Sequence, residues 1–246
     1  MNIDSNVQVC DARDDGIKYK SRYQKILHYI LRNFTINKNV YFVIMEHIAH
    51  LQKDKKLAKI IVEPVNELRT HKNIPLTLIG SIMSQQLSTK VAKVIHKRFL
   101  ALYNDKETTL KQILDTPLAT LRSIGLSNAK TTYVHNVAKF CIEHDITDKK
   151  LSAMTNEEVI ELLTQIKGVG RWTVEMLLMF TLGREDVFAI DDWGIQQSMI
   201  KLYKLDALNK KELREKLTKI SLKWSPYRTY ACIYLWKWKD NAPITK

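Results

Sequence analysis

Seven glycines and five prolines are all that interrupt 246 residues. Between them apolar side chains recur at intervals of three and four, the spacing that lines one stripe of a helix and does not suit the two-residue period of a strand. The chain is therefore expected to fold as an almost all-α protein. After a polar segment over 1–16, the pattern predicts helices near 19–33, 40–52, 75–86, 88–103, 109–114, 117–124, 128–144, 155–165, 171–182, 192–203, 210–222 and 226–239. Local chemistry supports several of the ends. Pro117 suits a first helical position, Thr155 with Glu158 forms a capping-box pattern, Gly183 suits a left-handed stop, and Ser225 with Pro226 is expected to open the last helix. The run Lys53-Asp54-Lys55-Lys56 reads as a turn. Nothing repeats and no low-complexity linker appears, so 17–246 is expected to form one domain.

Composition narrows the partner. Lys plus Arg outnumber Asp plus Glu by 39 to 26, a net charge of +13 with a pI near 9.5, which favours a polyanion, although an acidic membrane surface would satisfy charge alone. No run of about 18 uncharged apolar residues occurs, and the first 16 residues lack the basic-then-apolar order of an export signal. Cys10, Cys141 and Cys232 lie too far apart for a zinc ribbon or a four-cysteine cluster, so a reduced intracellular protein is expected.

The stretch Gln165-Ile166-Lys167-Gly168-Val169-Gly170-Arg171-Trp172-Thr173 is the place where chemistry can be read. Two glycines one residue apart between helices allow a tight turn whose N–H groups are open to approach. Beside the start of the next helix such a turn suits a phosphate oxygen, and Lys167 and Arg171 would add attraction to a DNA backbone. Gly-x-Gly alone describes many ordinary helix-helix turns equally well. Asp192, the second carboxylate of Ile190-Asp191-Asp192, reads as a helix N-cap, for which aspartate is favoured.

Taken together, Ile166 to Thr173 and Asp192 resemble the helix-hairpin-helix DNA glycosylase superfamily. The resemblance extends to Leu78-Ile79-Gly80-Ser81-Ile82-Met83-Ser84-Gln85-Gln86-Leu87-Ser88 and to Trp224-Ser225-Pro226-Tyr227-Arg228-Thr229-Tyr230-Ala231. These blocks look most like the 3-methyladenine DNA glycosylase II branch, over roughly 75–238. The resemblance implies a two-lobed helical fold with the active site in the cleft between lobes. It also implies a DNA glycosylase of base excision repair that hydrolyses the N-glycosidic bond of alkylated purines.

The family pattern carries its roles onto particular residues. Asp192 becomes the catalytic carboxylate, stabilising positive charge on the deoxyribose and directing water, while Asp191 is left as a structural or tuning neighbour. Trp172, Met176 and Trp236 fall on base-pocket positions, where electron-rich indoles would attract a cationic base, although each residue type is more often core. Leu87, with Gln86 before it, falls on the apolar wedge that fills the gap left by a flipped nucleotide, or else packs in the core as most leucines do. Gly168, Gly170, Lys167 and Arg171 fall on the DNA-binding hairpin. The carbonyls of Thr164, Ile166 and Val169 fall where the family holds a sodium or potassium ion. Lys167 departs from the proline common there and leaves the turn less rigid. Members that cut the strand carry a lysine two residues after the second hairpin glycine, which attacks the sugar as an amine. Here that residue is Trp172, which implies base release without lyase chemistry.

Other features have blander expectations. His47 and His50 beside Glu46 lack a third metal ligand, so a solvated helix face is expected. Residues 201–223 read first as a solvated amphipathic segment and second as a DNA-facing patch. Trp193, Trp224 and Trp238 are expected in the core or at its rim, and Tyr227 and Arg228 either touch DNA or, for the arginine, pair with a carboxylate. No organic cofactor is expected. The partner is double-stranded DNA containing damaged bases, met by a monomer in a prokaryotic cytoplasm or a eukaryotic nucleus. A glycosylase of the same fold for oxidised, deaminated or mismatched bases shares every feature except pocket selectivity, and a non-catalytic DNA-binding protein would need the hairpin alone.

Overall fold

The computed structural model describes residues 46–241 apart from 66 and 207, and every regular element among them is helical. The tail over 1–16, the predicted helix over 19–33, Cys10 and residues 40–45 of the predicted helix over 40–52 lie outside the described residues. Residues 46–51 are helical and lead through the Lys53–Lys56 turn to a 3-10 turn at Leu57–Lys59. There follow α1 (Ile74–Ser84), α2 (Thr89–Ala101), α3 (Leu110–Asp115), α4 (Leu118–Ser123), α5 (Asn128–Glu143), α6 (Asp148–Ala153), α7 (Asn156–Leu163), α8 (Arg171–Phe180), α9 (Trp193–Tyr203), α10 (Lys210–Ser221) and α11 (Arg228–Asp240).

Short polar side chains start most of these helices. Ser88, Thr109, Ser127, Thr147, Thr155 and Asn209 each accept an N–H of the turn they open, a cap contributing about 1 kcal/mol. The capping box expected at Thr155 and Glu158 is formed, and two more occur at Thr109 with Gln112 and at Asn209 with Glu212. Burial then follows the helical period. On α5, Val134, Val137, Ala138 and Cys141 face inward, and α5 packs against α1, α3 and α4, while α8 packs on α1 and α7, and α9 on α11. One contiguous buried cluster runs from Ile48 to Leu235.

Four local expectations are corrected. Pro117 stands one residue ahead of α4 with an extended ψ of 141°, because the bond it lacks is spared at the cap as well as inside the first turn. Ser225 and Pro226 do not open α11. Tyr227 precedes that helix without a side-chain cap, and the Ser225 hydroxyl donates to Asp186 at 2.8 Å. The six-residue α6 was not expected, since Leu151 is its only buried residue and it carries no apolar stripe. His47 is fully buried rather than solvated, stacked on Tyr230 at 3.9 Å between ring centroids with its Nε2 3.4 Å from the Tyr234 hydroxyl. Aromatic rings from a helix almost 190 residues away in sequence cover it, which no local pattern could announce.

Candidate active site

The hairpin is anchored from inside. Ile166 and Val169 are buried, and the Val169 N–H closes a turn onto the Ile166 carbonyl at 2.9 Å. Gly168 has φ +106°, and a Cβ there would stand 2.2 Å from the ring of Tyr133 on α5, so glycine is required both by conformation and by space. Also on α5, Asn136 Nδ2 donates to the Lys167 carbonyl at 3.0 Å. That bond takes up slack that lysine in place of proline would leave. Gly170 caps α8 with no side-chain hydrogen bond, and a Cβ there would meet nothing. The start of α8, the positive end of that helix, is thus open at Gly170. Lys167 is exposed beside it.

Arg171 makes contacts that the sequence did not announce. Its guanidinium pairs with Glu157 on α7 and Glu175 on α8, each at 3.0 Å, and so clamps the two helices of the hairpin together. Glu175 is buried at 1% exposure, and its second oxygen has no hydrogen-bond partner. Burial pushes its carboxyl up to about 7 even though Arg171 pulls the other way.

Asp192 sits at the N-cap of α9, where its Oδ1 accepts the Ile195 N–H at 2.8 Å. The same oxygen accepts from Trp236 Nε1 on α11 at 2.9 Å, and Oδ2 accepts from Trp172 Nε1 on α8 at 2.8 Å. Three donors and no acceptor face this carboxylate, the set an acceptor-only ion satisfies. Close approach depends on Gly194, where a Cβ would lie 3.1 Å from Asp192 Oδ1 and 3.3 Å from the Trp236 ring. Trp172 remains 43% exposed while Trp236 is half-buried, 6.0 Å from the Phe180 ring. Asp191 points elsewhere and pairs with Arg214.

Two cavities open along α1, one of them reaching Trp172. One of about 540 Å³ is lined by Ser81, Ser84, Gln85, Gln86, Leu87 and Trp172. The other, about 730 Å³, shares Ser81 and Ser84 and continues past Gly80, Met176 and Phe180. Asp192 lines neither, since both of its oxygens are covered by indole N–H groups. Leu87 is half-buried against the core, next to an exposed Gln86 whose φ is +57°.

Comparison with known proteins fits this arrangement. The family description "HhH-GPD superfamily base excision DNA repair protein" matches residues 79–222. The chain belongs to the HhH-GPD superfamily. Among its relatives, DNA-3-methyladenine glycosylase 1 of Schizosaccharomyces pombe is 36% identical over 204 residues, covering 81% of this chain and 88% of that protein. A DNA-3-methyladenine glycosidase structure from Bacillus halodurans superposes with a TM-score of 0.68 at 34% identity, covering 78% of this chain and 88% of the other. The S. pombe 3-methyladenine DNA glycosylase in complex with abasic DNA superposes with a TM-score of 0.67 at 33% identity, covering 82% of this chain and all of that one.

Within this HhH-GPD chain the structure brings Asp192, Trp172 and Trp236 into direct contact and sets Met176 and Leu87 on the adjoining cavities. It pairs Arg228 with Asp186 by two bonds of 2.6 and 3.0 Å. Trp224 is buried and Trp193 is 66% exposed. On α10 only Leu217, Ile220 and Ser221 are buried, which agrees with a solvated amphipathic helix. Sequence reasoning missed Gly194, Glu175 and the α5 residues Lys130, Tyr133 and Asn136. Only the i, i+3, i+6 spacing of the last three hinted at a shared face. Cys141 and Cys232 are buried free thiols, each pushed up to about 12 by burial, and so are inert. Among the described residues no three His, Cys, Asp or Glu side chains gather to hold a metal, and no helix is long and apolar enough to cross a membrane.

Proposed function

We propose that this protein is a monofunctional DNA glycosylase that releases alkylated, 3-methyladenine-type purines from duplex DNA. The observation that carries the reading is a carboxylate, Asp192, gripped by two indole N–H groups, one of them from Trp172, which lines a cavity. A purine alkylated on a ring nitrogen is cationic and leaves as a neutral base. A pocket of indole faces attracts such a cation by about 0.5 to 2 kcal/mol, and one carboxylate can then suffice.

In this reading the open N-terminus of α8 and Lys167 hold a backbone phosphate, Leu87 enters the base stack, and the flipped base stacks on the indoles. As the bond from C1′ to the base nitrogen breaks, its electron pair leaves with the base and positive charge develops on the sugar. Asp192, already oriented by three donors, stabilises that charge and accepts a proton from the water that adds to C1′. The products are a free base and an abasic site. Trp172 occupies the position from which an amine would attack the sugar, and an indole cannot form a Schiff base, so the strand stays intact. The neutral carbonyls of Thr164, Ile166 and Val169 suit a monovalent cation better than a divalent one. A sodium or potassium ion held there would add positive charge beneath the same phosphate. The protein would act as a monomer on DNA inside the cell.

The names of the relatives support the substrate class. The test is release of 3-methyladenine and 7-methylguanine from alkylated duplex DNA by the wild type and by Asp192→Asn. The variant is expected to lose at least ~10²-fold in rate. Equal rates would remove Asp192 from the chemistry, and borohydride trapping of the wild type on DNA would overturn the monofunctional assignment.

A further inference from the structure

One face of α5 touches both turns that the glycosylase reading assigns to DNA. Lys130, Tyr133 and Asn136 follow each other at helical spacing. Toward the hairpin, Asn136 donates to the Lys167 carbonyl and the Tyr133 ring lies against Gly168. Toward the other turn, Lys130 Nζ donates to the carbonyls of Met83 at 3.1 Å and Gln85 at 2.6 Å. The first belongs to the last turn of α1, at the negative end of the helix dipole, and the second to its C-cap residue, directly before Gln86 and Leu87.

The turn after α1 needs such support. Gln86 sits at φ +57° without being glycine, a conformation that costs about 1 kcal/mol or more. Burial pulls the Lys130 pKa down, and its two bonds to backbone carbonyls offset part of that desolvation. A second tie runs from Gln85 Nε2 to Thr173 Oγ1 on α8 at 3.2 Å, next to Trp172. The turn carrying Leu87 is therefore bound to the same two helices, α5 and α8, that shape the hairpin.

We infer that Lys130 is a positioning residue for base flipping: it pins the Leu87 turn to α5 so that wedge and hairpin meet the duplex at one fixed separation. The inference rests on the glycosylase reading. It makes no contact with substrate necessary, and it distinguishes Lys130 from an ordinary helix-end cap, whose loss would lower stability without regard to what the DNA must do.

The experiment compares wild type, Lys130→Met, which keeps the aliphatic stem, and Lys130→Arg, which keeps the donors. Base release is timed for one alkylated purine in a matched duplex and opposite a mismatch, where unstacking is already cheaper. Circular dichroism fixes a temperature at which every variant is folded. Lys130→Met is expected to lose about 10-fold on the matched duplex and less than about 3-fold opposite the mismatch, with Lys130→Arg recovering most of the difference. Parallel losses on the two duplexes, or no loss, would overturn the inference. If Lys130→Met does not fold, Gln85→Ala cuts the other tie and is read by the same ratio. A 2-aminopurine placed beside an abasic-site analogue reports unstacking without any chemistry. If wild type releases no base from either duplex, the glycosylase reading fails, while fluorescence enhancement by wild type but not by Lys130→Met still decides for Lys130, and equal enhancement decides against it.

Discussion

The hairpin over 164–170 and the turn over 85–88 are both short connections between helices braced by α5, yet they owe their shape to different residues. The hairpin puts glycine where φ is +106° and drives Ile166 and Val169 into the core. The other turn puts glutamine at φ +57° and relies on Lys130 and Thr173 to hold it. A turn built from its own residues carries its shape in the local sequence, whereas a turn built by distant donors does not. The first reads as a motif, and the second reads as an unremarkable Gln-Gln-Leu.

The comparison breaks most severely at Gly168. Gly168→Ala combines a disfavoured φ with a Cβ 2.2 Å from Tyr133. It is expected to cost about 3 kcal/mol or more in urea unfolding and to weaken binding to an abasic-site duplex. Gly168→Ala with Tyr133→Ala should recover part of the stability, because only the clash is relieved. Full additivity of the two changes would show that the ring of Tyr133 does not support the hairpin.

Glu175 tests the hairpin from beneath. Its carboxyl is raised from the usual 4.5 to about 7, so between those values the folded state keeps a proton that the unfolded chain gives up. Stability conferred by the protonated form is complete below pH 4.5 and is lost as pH rises through about 7, a loss on the order of 3 kcal/mol at 1.36 kcal/mol per unit. Glu175→Gln should therefore gain on the wild type between pH 5 and pH 8 in denaturant melts. A variant that instead falls behind as pH rises would show that Arg171, not burial, dominates at this carboxylate.

Smaller effects separate the two turns from the carboxylate between them. Gly194→Ala should fold normally, since alanine suits a helix, but press on Asp192 and Trp236 and slow base release about 10-fold. An unchanged rate would mean that the indoles yield without consequence. Gln86→Gly is expected to have the smallest effect, raising stability by up to about 1 kcal/mol as the left-handed strain is relieved. A loss of stability would show that the glutamine side chain itself holds the turn.

Much of the fold was legible because helices announce themselves within a few residues: the apolar spacing and the Thr155 box were readable and formed, whereas the Ser225 start was read and did not form. Asp192 was read as a cap and as a candidate carboxylate, and the structure places it at that cap. What was not legible joins residues far apart in the chain. His47 disappears beneath tyrosines of α11, Arg171 is taken by Glu157 across the hairpin, and Asp148 caps α1 through the N–H groups of Asn73 and Ile74 at 2.7 and 2.8 Å.

The sequence by itself determined the helical class, the hairpin with its uncapped helix start, and the absence of an amine at Trp172, since each depends on neighbours in the chain. Only the tertiary structure decided that Trp172 and Trp236 both donate to Asp192, that Arg171 is a clamp, and that α5 supports both turns. These are hydrogen bonds from side chains to groups 14 to 88 residues away. Whether such a pair meets depends on how whole helices pack, because packing buries apolar stripes first and polar groups take whatever partners that burial brings within reach.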